Sequence, residues 1–297
     1  MSIKLNLITL SISAFSALAY AEPSPSEFFY QTPAHKTVAT IQAGYMDREY
    51  KVTNVGNASD AGLSNAGLRW EHGVNEHMSV EGVISYSYRT IKYTGKDNGQ
   101  VNGLDNVQVN FKGTCPGIGW RWRYGLYNSI GLTPASSSAT NTGTTAKYNG
   151  STGSYTLTPY TGFDFDVGAG ILGAKVSYDL VKHDTVIHDS SGPIAFGGGQ
   201  DLIVSVFYEL SIEPSLVGVA LNYTNENGTF IGTNSQSGWA GYGAKIYARF
   251  GYLDNWQIVP SFTYDWNATK SNRDMYAANY IDSENSWRAD LKLRYTF

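Results

Sequence analysis

The sequence predicts an all-β protein, a transmembrane up-and-down antiparallel β-barrel of about twelve strands. From Thr37 onward, apolar and polar residues alternate with period 2 in one segment after another, as in half-buried strands, and helical periodicity is almost absent. The connections between these segments alternate strictly between short and long, which is typical of transmembrane barrels. Because the strand number is even and the first connection is long, both termini are expected in the periplasm, on the side of the short turns.

The composition excludes several other classes of protein. The 297 residues include 15% charged and 14% aromatic side chains, and the mean hydropathy of −0.27 does not indicate a bundle of membrane helices. A net charge of −4 argues against nucleic acid as a partner. Cys115 is the only cysteine, so a disulfide framework and a cysteine-based zinc site are excluded, and no cofactor is expected. A lone thiol in an exported protein is expected to be buried or inert.

The N-terminus has the features of a secretory signal peptide. Residues 1–21 contain one lysine, an apolar run rich in Ser and Ala, and an A-x-A cleavage site at Ala19–Ala21. A membrane anchor is the weaker alternative, because the run is short and interrupted by serines. Residues 22–36 then form a Pro-rich periplasmic tail, which either hangs free or tucks into the barrel mouth as a small plug. Residues 37–297 form the barrel domain.

Twelve strands follow in order from the alternation, and five tight turns alternate with six longer connections. The predicted strands are 37–52, 64–73, 78–93, 105–124, 128–136, 153–166, 171–183, 201–210, 215–225, 239–251, 256–267 and 286–297. The predicted tight turns are Val74–His77, Gly125–Asn128, Val167–Gly170, Ser211–Pro214 and Tyr252–Asn255. The longer connections are polar and rich in Gly, Asn and Ser, as expected of extracellular loops. A soluble β-sandwich or propeller has no reason to sort its connections in this way.

The predicted strand 105–124 changes register near its centre. Val107 and Phe111 place the apolar set on odd numbers, whereas Trp120 and Trp122 place it on even numbers, and "GTCPG" lies between them. A β-bulge there would restore the register and would tolerate the proline. Two shorter strands are the alternative, and they are disfavoured because an extra turn would spoil the alternation of short and long connections.

The outward faces of the strands are apolar, and their aromatic residues collect at both ends. Beside the short turns lie Tyr124, Tyr252, Trp256 and Tyr295. Toward the long loops lie Tyr45, Tyr88, Tyr178, Tyr223 and Trp287. Amphipathic rings suit the two membrane–water interfaces, so these residues predict a pair of aromatic girdles. Aromatic residues that filled a soluble core would not be sorted to both ends.

With its signal peptide, its sorted loops and a last strand that ends "LRYTF", the chain resembles bacterial outer-membrane β-barrel proteins. The resemblance covers essentially the whole mature chain, and no motif identifies a subfamily. It implies a location in the outer membrane of a Gram-negative cell and contact with outer-membrane lipid. It also implies that the barrel-assembly machinery reads the last strand, with Tyr295 and Phe297 as the assembly signal.

The inward faces carry a surplus of basic residues. Charges on the lipid face would cost roughly 2–4 kcal/mol each at the membrane midplane, so these residues are predicted to line the lumen, either hydrated or paired. The twelve basic residues are Arg48, Arg69, Arg89, Lys112, Arg121, Arg123, Lys175, Lys245, Arg249, Arg288, Lys292 and Arg294. The nine acidic residues are Glu71, Glu81, Asp164, Asp166, Asp179, Asp201, Glu209, Asp265 and Asp290.

This interior favours a narrow passive diffusion channel for small hydrophilic solutes, with a small anionic solute as the expected partner. The adjacent inward pairs Arg121/Arg123 and Lys292/Arg294 have no acid between them, which supports a pore. The alternative is a closed barrel that displays loops for structure, adhesion or reception. A twelve-stranded barrel is only slightly wider than eight-stranded barrels that side chains fill, so a salt-bridge network could close it.

An enzyme is not expected, and no catalytic residue is predicted. The loop cluster of His183, Asp184, His188, Asp189 and Ser190 could suggest a hydrolase or a metal site, but its spacing does not aim the side chains together. The inward pair Asp164 and Asp166 is similar to the paired aspartates of outer-membrane omptin proteases. Those proteases act near the extracellular rim, whereas this pair lies beside a short turn.

Overall fold

The structure of the chain is a computed structural model, and part of the chain is described by it. The described residues are 26–52, 56–93, 99–132, 137–138, 146–148, 155–181, 185–189, 192–198, 200–226, 229–231, 234–235, 239–252, 255–269 and 281–297. The predicted signal peptide, residues 1–21, and the first four residues of the predicted tail lie outside them. In the described residues, no helix is long and apolar enough to cross a membrane.

Twelve strands of the described residues form a closed antiparallel barrel, as predicted. They are β1 Thr37–Val52, β2 Gly56–Asn75, β3 Met78–Tyr93, β4 Gly99–Leu104 with Val107–Gly117, β5 Trp120–Ile130, β6 Tyr155–Val167, β7 Gly170–Tyr178, β8 Asp201–Ile212, β9 Ser215–Glu226, β10 Trp239–Tyr252, β11 Trp256–Thr269 and β12 Ile281–Thr296. Each strand pairs with its neighbours in chain order, and β12 pairs with β1. The alternation of apolar and polar residues therefore specifies a ring with no free edge.

Pairing of the first and last strands closes the ring. The register runs from Val38 opposite Thr296 to Val52 opposite Ile281, and the amide of Phe297 donates to the Thr37 carbonyl at 2.8 Å. Both ends of the barrel domain therefore lie where the short turns lie, which is here called the short-turn end. The opposite rim is called the long-loop end.

The predicted bulge at "GTCPG" was wrong, because the chain makes a hairpin there. β4 ends at Gly117 and β5 begins at Trp120, so Ile118 and Gly119 form a two-residue turn, with φ of +72° at Gly119. Glycine adopts this left-handed conformation without the strain that a side chain would add. In the register Val107 lies opposite Ile130, so odd residues of β4 share a face with even residues of β5. The outward apolar set therefore changes from odd to even numbers because the chain turns back on itself there.

The predicted tight turn at Gly125–Asn128 was also wrong, since these residues lie within β5. Of the strand predicted over 128–136, residues 128–130 are the end of β5 and 133–136 lie outside the described residues. The two errors cancel, and the count of twelve is kept. A real irregularity in β4 lies at Asp105 and Asn106, where the pairing with β3 shifts by one residue. The amide of Asp105 donates to the Ser85 carbonyl at 2.8 Å.

The outer surface of the barrel is apolar, with aromatic contacts near both rims. Tyr45 and Trp287 lie 5.5 Å apart between ring centroids toward the long-loop end, and Trp256 and Tyr295 lie 4.7 Å apart at the short-turn end. Cys115 is exposed on this surface, so of the two expectations for this thiol, burial was wrong. Because successive side chains of a strand point to opposite faces, the polar and charged rows face the interior.

Several described strands extend or accompany the barrel at the long-loop end. β2 and β12 begin earlier than predicted, at Gly56 and Ile281, which brings Asp60 and Glu284 to the inner wall. Short strands continue around this rim: Ser137–Ser138, Ala146–Tyr148 and Leu180–Val181. A separate four-stranded sheet comprises Thr185–Asp189, Gly192–Gly198, Thr229–Ile231 and Asn234–Ser235.

Candidate functional site

The tail before the first strand enters the barrel from the short-turn end. At the mouth, the amide of His35 donates to the Gly73 carbonyl at 2.7 Å, and the amide of Gly73 donates to the Lys36 carbonyl at 3.0 Å. The Pro33 carbonyl approaches Gly73 so closely that no side chain would fit there. Of the two arrangements that the sequence left open for residues 22–36, the described part adopts the plug.

Polar contacts hold the inserted tail, residues 26–36, against the barrel wall. Arg294 donates two hydrogen bonds to the Glu27 carboxylate, at 2.5 and 2.7 Å. Burial raises the pKa of Glu27, but the adjacent Arg294 guanidinium outweighs it, so this pKa lies below its ordinary value. The amide of Phe28 donates to Glu209 at 2.7 Å. The amide of Thr32 donates to a wall carboxylate of β2 at 3.0 Å. The tail is therefore hydrogen-bonded to three buried residues of the wall: Glu71, Glu209 and Arg294.

Aromatic packing fills the lumen around the two phenylalanines of the tail. Phe28 stacks on Phe207 with ring centroids 4.3 Å apart, and Phe29 meets Phe207 edge-on at 5.5 Å and Tyr160 at 6.4 Å. Gly162 makes room for this ring, because a Cβ there would lie 2.6 Å from the Phe29 side chain. Full burial of a phenylalanine side chain stabilises by roughly 1.5–3 kcal/mol. Phe29 is buried and Phe28 is partly buried, so the two rings anchor the tail.

A buried ionic network joins β2, β3 and β4 beside the tail. Lys112 donates to Glu71 and to Glu81, each at 2.8 Å, and Arg69 donates to Glu81 at 2.9 Å. Lys112 also lies 3.3 Å from the Tyr30 carbonyl of the tail. Both carboxylates are almost wholly buried, and Lys112 is the cation that they share.

The two arginines of β5 are paired with the two aspartates of β6. Arg121 forms ion pairs with Asp164 and, at 2.5 Å, with Asp166. Arg123 pairs with Asp164 at 2.7 Å. The sequence placed no acid between the arginines along their own strand, but the neighbouring strand supplies both. Asp164 is fully buried and forms ion pairs with both arginines.

Further ion pairs lie toward the long-loop end. Arg288 pairs with Asp290 at 2.9 Å, and Asn65 donates to the same aspartate at 3.1 Å. Arg48 pairs with Glu284 at 3.1 Å, and Arg89 pairs with Asp60. Other predicted lumen residues near the rims, also inside the barrel by their strand parity, are Asp179, Asp201, Arg249 and Asp265. Ion pairs therefore line the inner wall over much of the height of the barrel.

A chamber remains open between the tail and the long-loop end. It consists of two adjoining cavities of about 370 and 410 Å³, which share five wall residues. The shared residues are Arg69, Gln108, Lys245, Ser261 and Lys292. Residues 27–30 of the tail form the floor of the chamber. It lies about five residues, roughly 15 Å along a strand, from the short turns.

Sequence reasoning placed the charged rows but missed what occupies the lumen. Glu27, Phe28 and Phe29 were assigned to a tail of undecided position. Two phenylalanines beside a tyrosine are unusual for a segment in water, and this run was the sequence feature that could have indicated a buried tail. Of the loop cluster considered for hydrolysis, His183, Asp184 and Ser190 lie outside the described residues. His188 and Asp189 lie in the strand Thr185–Asp189, and their side chains also lie outside the described part.

Comparison with known proteins identifies the fold. No protein-family model matches the chain, and no curated protein matches it in sequence. The crystal structure of the COG4313 outer membrane channel from Pseudomonas putida F1 superposes with a TM-score of 0.67 at 10% identity, over 93% of this chain and 100% of that chain. The translocator domain of the autotransporter NalP from Neisseria meningitidis gives a TM-score of 0.55 at 10% identity, over 99% of this chain and 97% of that chain. The chain therefore has the fold of outer-membrane β-barrel proteins.

Proposed function

We propose that the protein is an outer-membrane passive diffusion channel for small hydrophilic solutes, closed at rest by its own tail. The observation that carries this proposal is that the lumen is blocked by the tail and not by the barrel wall. The obstruction below the chamber is a segment outside the barrel sheet, residues 26–36, whereas the wall itself leaves a polar space. The tail is continuous with the barrel strands only through Lys36, so residues 26–32 can leave the lumen without a break in the hydrogen bonds between barrel strands.

The proposed location follows from the apolar outer surface and the fold. The exposed apolar rows would contact outer-membrane lipid, the short-turn end would face the periplasm and the long loops would face the exterior. Tyr295 and Phe297, at the end of β12, would serve as the signal for the barrel-assembly machinery. The fold is shared with a protein described as an outer membrane channel, which agrees with this function.

Single-channel recording of the mature chain, residues 22–297, tests the proposal. We expect discrete conductance steps in a planar bilayer, short-lived because the tail returns to the lumen. In a salt gradient the reversal potential should show a preference for anions, since lysines line the chamber. The variant Lys292→Glu should shift the preference toward cations. The proposal fails if neither the mature chain nor a tail-deleted chain conducts after correct folding.

The turn at Ile118 provides a test of orientation in the membrane. In a Cys115→Ser background, a cysteine at this fully exposed position should react with a membrane-impermeant maleimide only after the outer membrane is permeabilised. Asn57→Cys in the same background is the matched control, because this exposed residue lies at the long-loop end and should react in intact cells. Labelling of both variants in intact cells would contradict the proposed orientation.

A closed barrel that displays its loops is the second candidate. It is supported by the ion pairs along the inner wall and by the tail that fills the lumen at the short-turn end, because both stabilise a closed state. The four-stranded sheet at the long-loop end gives such a barrel an ordered feature to present. This candidate predicts no conductance even when the tail has been removed, so the same recordings distinguish it from the channel.

A further inference from the structure

Three lysines reach the chamber from three strands that do not pair with one another. Lys175 lies on β7, Lys245 on β10 and Lys292 on β12, and all three line the cavity above the tail. Among the described residues, none of the three has a carboxylate within salt-bridge distance. The Lys175 amino group lies over the rings of Phe28 and Tyr127, at 5.3 and 5.9 Å from their centroids. Such contacts favour a cation and leave its hydrogen-bond donors free.

The carboxylates around the chamber already have partners. Glu27 is held by Arg294, Glu81 by Lys112 and Arg69, and Asp290 by Arg288 and an asparagine. The fourth, Asp105, accepts a hydrogen bond from the Ser85 hydroxyl at 2.9 Å. The seven cationic residues of the lining are Arg69, Lys112, Lys175, Lys245, Arg288, Lys292 and Arg294. The lining therefore carries more cations than carboxylates, and the excess is concentrated on the three lysines.

The three lysines also repel one another, and an anion between them would relieve this repulsion. Lys175, Lys245 and Lys292 line one cavity of about 370 Å³, so their three ammonium groups share a small volume. Like charges held together in a confined space are costly unless a counter-ion neutralises them. Water can hydrate each ammonium group singly, but a ligand with several negative groups can satisfy two or three of them at once.

We propose that the chamber is a binding site for a compact polyanion with two or more carboxylate or phosphate groups. The three lysines would supply the charge, and Tyr127, Tyr160 and the tail rings would form the floor beneath the ligand. Each cavity is within the size range of sites for small molecules, about 300–1,000 Å³. The proposal deepens the proposed function, because it names the class of solute that would occupy the channel, but binding does not require conduction.

Binding can be measured without any bilayer. The refolded mature chain in detergent would be titrated calorimetrically with citrate and, separately, with tripolyphosphate, at constant ionic strength in a chloride buffer. Glycerol serves as the uncharged control. We expect saturable binding of at least one polyanion and none of glycerol. The better of the two probes shows whether the site suits carboxylates or phosphates.

Lysine variants locate the site. Lys175→Gln, Lys245→Gln and Lys292→Gln should each weaken the affinity about tenfold or more, because each removes a charged hydrogen-bond donor. Lys292→Arg should keep most of the affinity, which shows that charge is required and that the fold tolerates substitution there. Lys92→Gln, at an exposed position outside the chamber, is the matched control and should bind normally.

Two results would overturn the proposal. One is the absence of saturable binding by either polyanion, and the other is equal binding by Lys92→Gln and the three chamber variants. Conductance without polyanion binding would refute the site and leave the channel standing. Polyanion binding without conductance would support the site and refute the channel, so the two failures can be told apart.

Discussion

Deletion of residues 22–32 should give a channel with a conductance several-fold above that of the mature chain, and with long open times. The deletion removes the floor of the chamber, including the Phe28 and Phe29 rings that pack on Phe207 and Tyr160. It keeps Pro33 and the residues that follow it at the barrel mouth. Planar-bilayer recordings of both proteins under the same voltage measure the effect. Without the tail, solutes and ions would meet only the barrel wall.

Point variants separate loss of the plug from damage to the barrel. Phe28→Ala with Phe29→Ala keeps the Glu27–Arg294 ion pair and the whole chain length, and should open the channel more often but less completely than the deletion. Folding of each variant is checked by its different mobility on a detergent gel before and after boiling. If all three proteins fold and conduct equally, the tail does not close the lumen.

Lys112→Met should lower the free energy of unfolding by about 3–5 kcal/mol, since it leaves two buried carboxylates without their shared cation. Glu71 and Glu81 both accept hydrogen bonds from the Lys112 amino group at 2.8 Å. Methionine has a similar size and no charge, so packing is largely kept. Urea unfolding in detergent, followed by tryptophan fluorescence, measures the loss.

Two comparisons show whether charge is the cause. Lys92→Met removes an exposed lysine on the outer side of β3 and should change the free energy of unfolding little. Adding Glu71→Gln to Lys112→Met should recover part of the stability, because Glu81 keeps its ion pair with Arg69, whereas Lys112 is the cation paired with Glu71 in the described part of the chain. Equal effects of Lys112→Met and Lys92→Met would show that the network contributes no stability.

The barrel could be predicted because its signals are local. Alternation along a strand and the lengths of the connections are visible in one sequence, and neither depends on which strands meet. The hairpin at Ile118–Gly119 was mistaken for a bulge because both shift the outward set from odd to even numbers. The apparent turn at Gly125 was misleading for another reason: this glycine stays inside β5, where the Tyr160 ring occupies the space that a side chain would need.

The plug and the pairing of the charges could not be predicted, because they depend on contacts between distant parts of the chain. Glu27 meets Arg294 across 267 residues, and Lys112 meets the Tyr30 carbonyl across 82. Arg121 and Arg123 looked unpaired because their partners belong to the neighbouring strand. Only the closed ring shows which inward charges form ion pairs and which lysines in the described part of the chain have no carboxylate at salt-bridge distance.

The Glu27–Arg294 ion pair also has a consequence for the order of assembly. Arg294 lies on β12, 267 residues after Glu27, so the tail cannot form this contact until β12 has been synthesised. Closing so long a loop costs the most conformational entropy when the rest of the chain is still disordered, and little once β12 has paired with β1. We therefore expect the tail to be captured after ring closure, so that occupancy of the lumen marks a finished barrel.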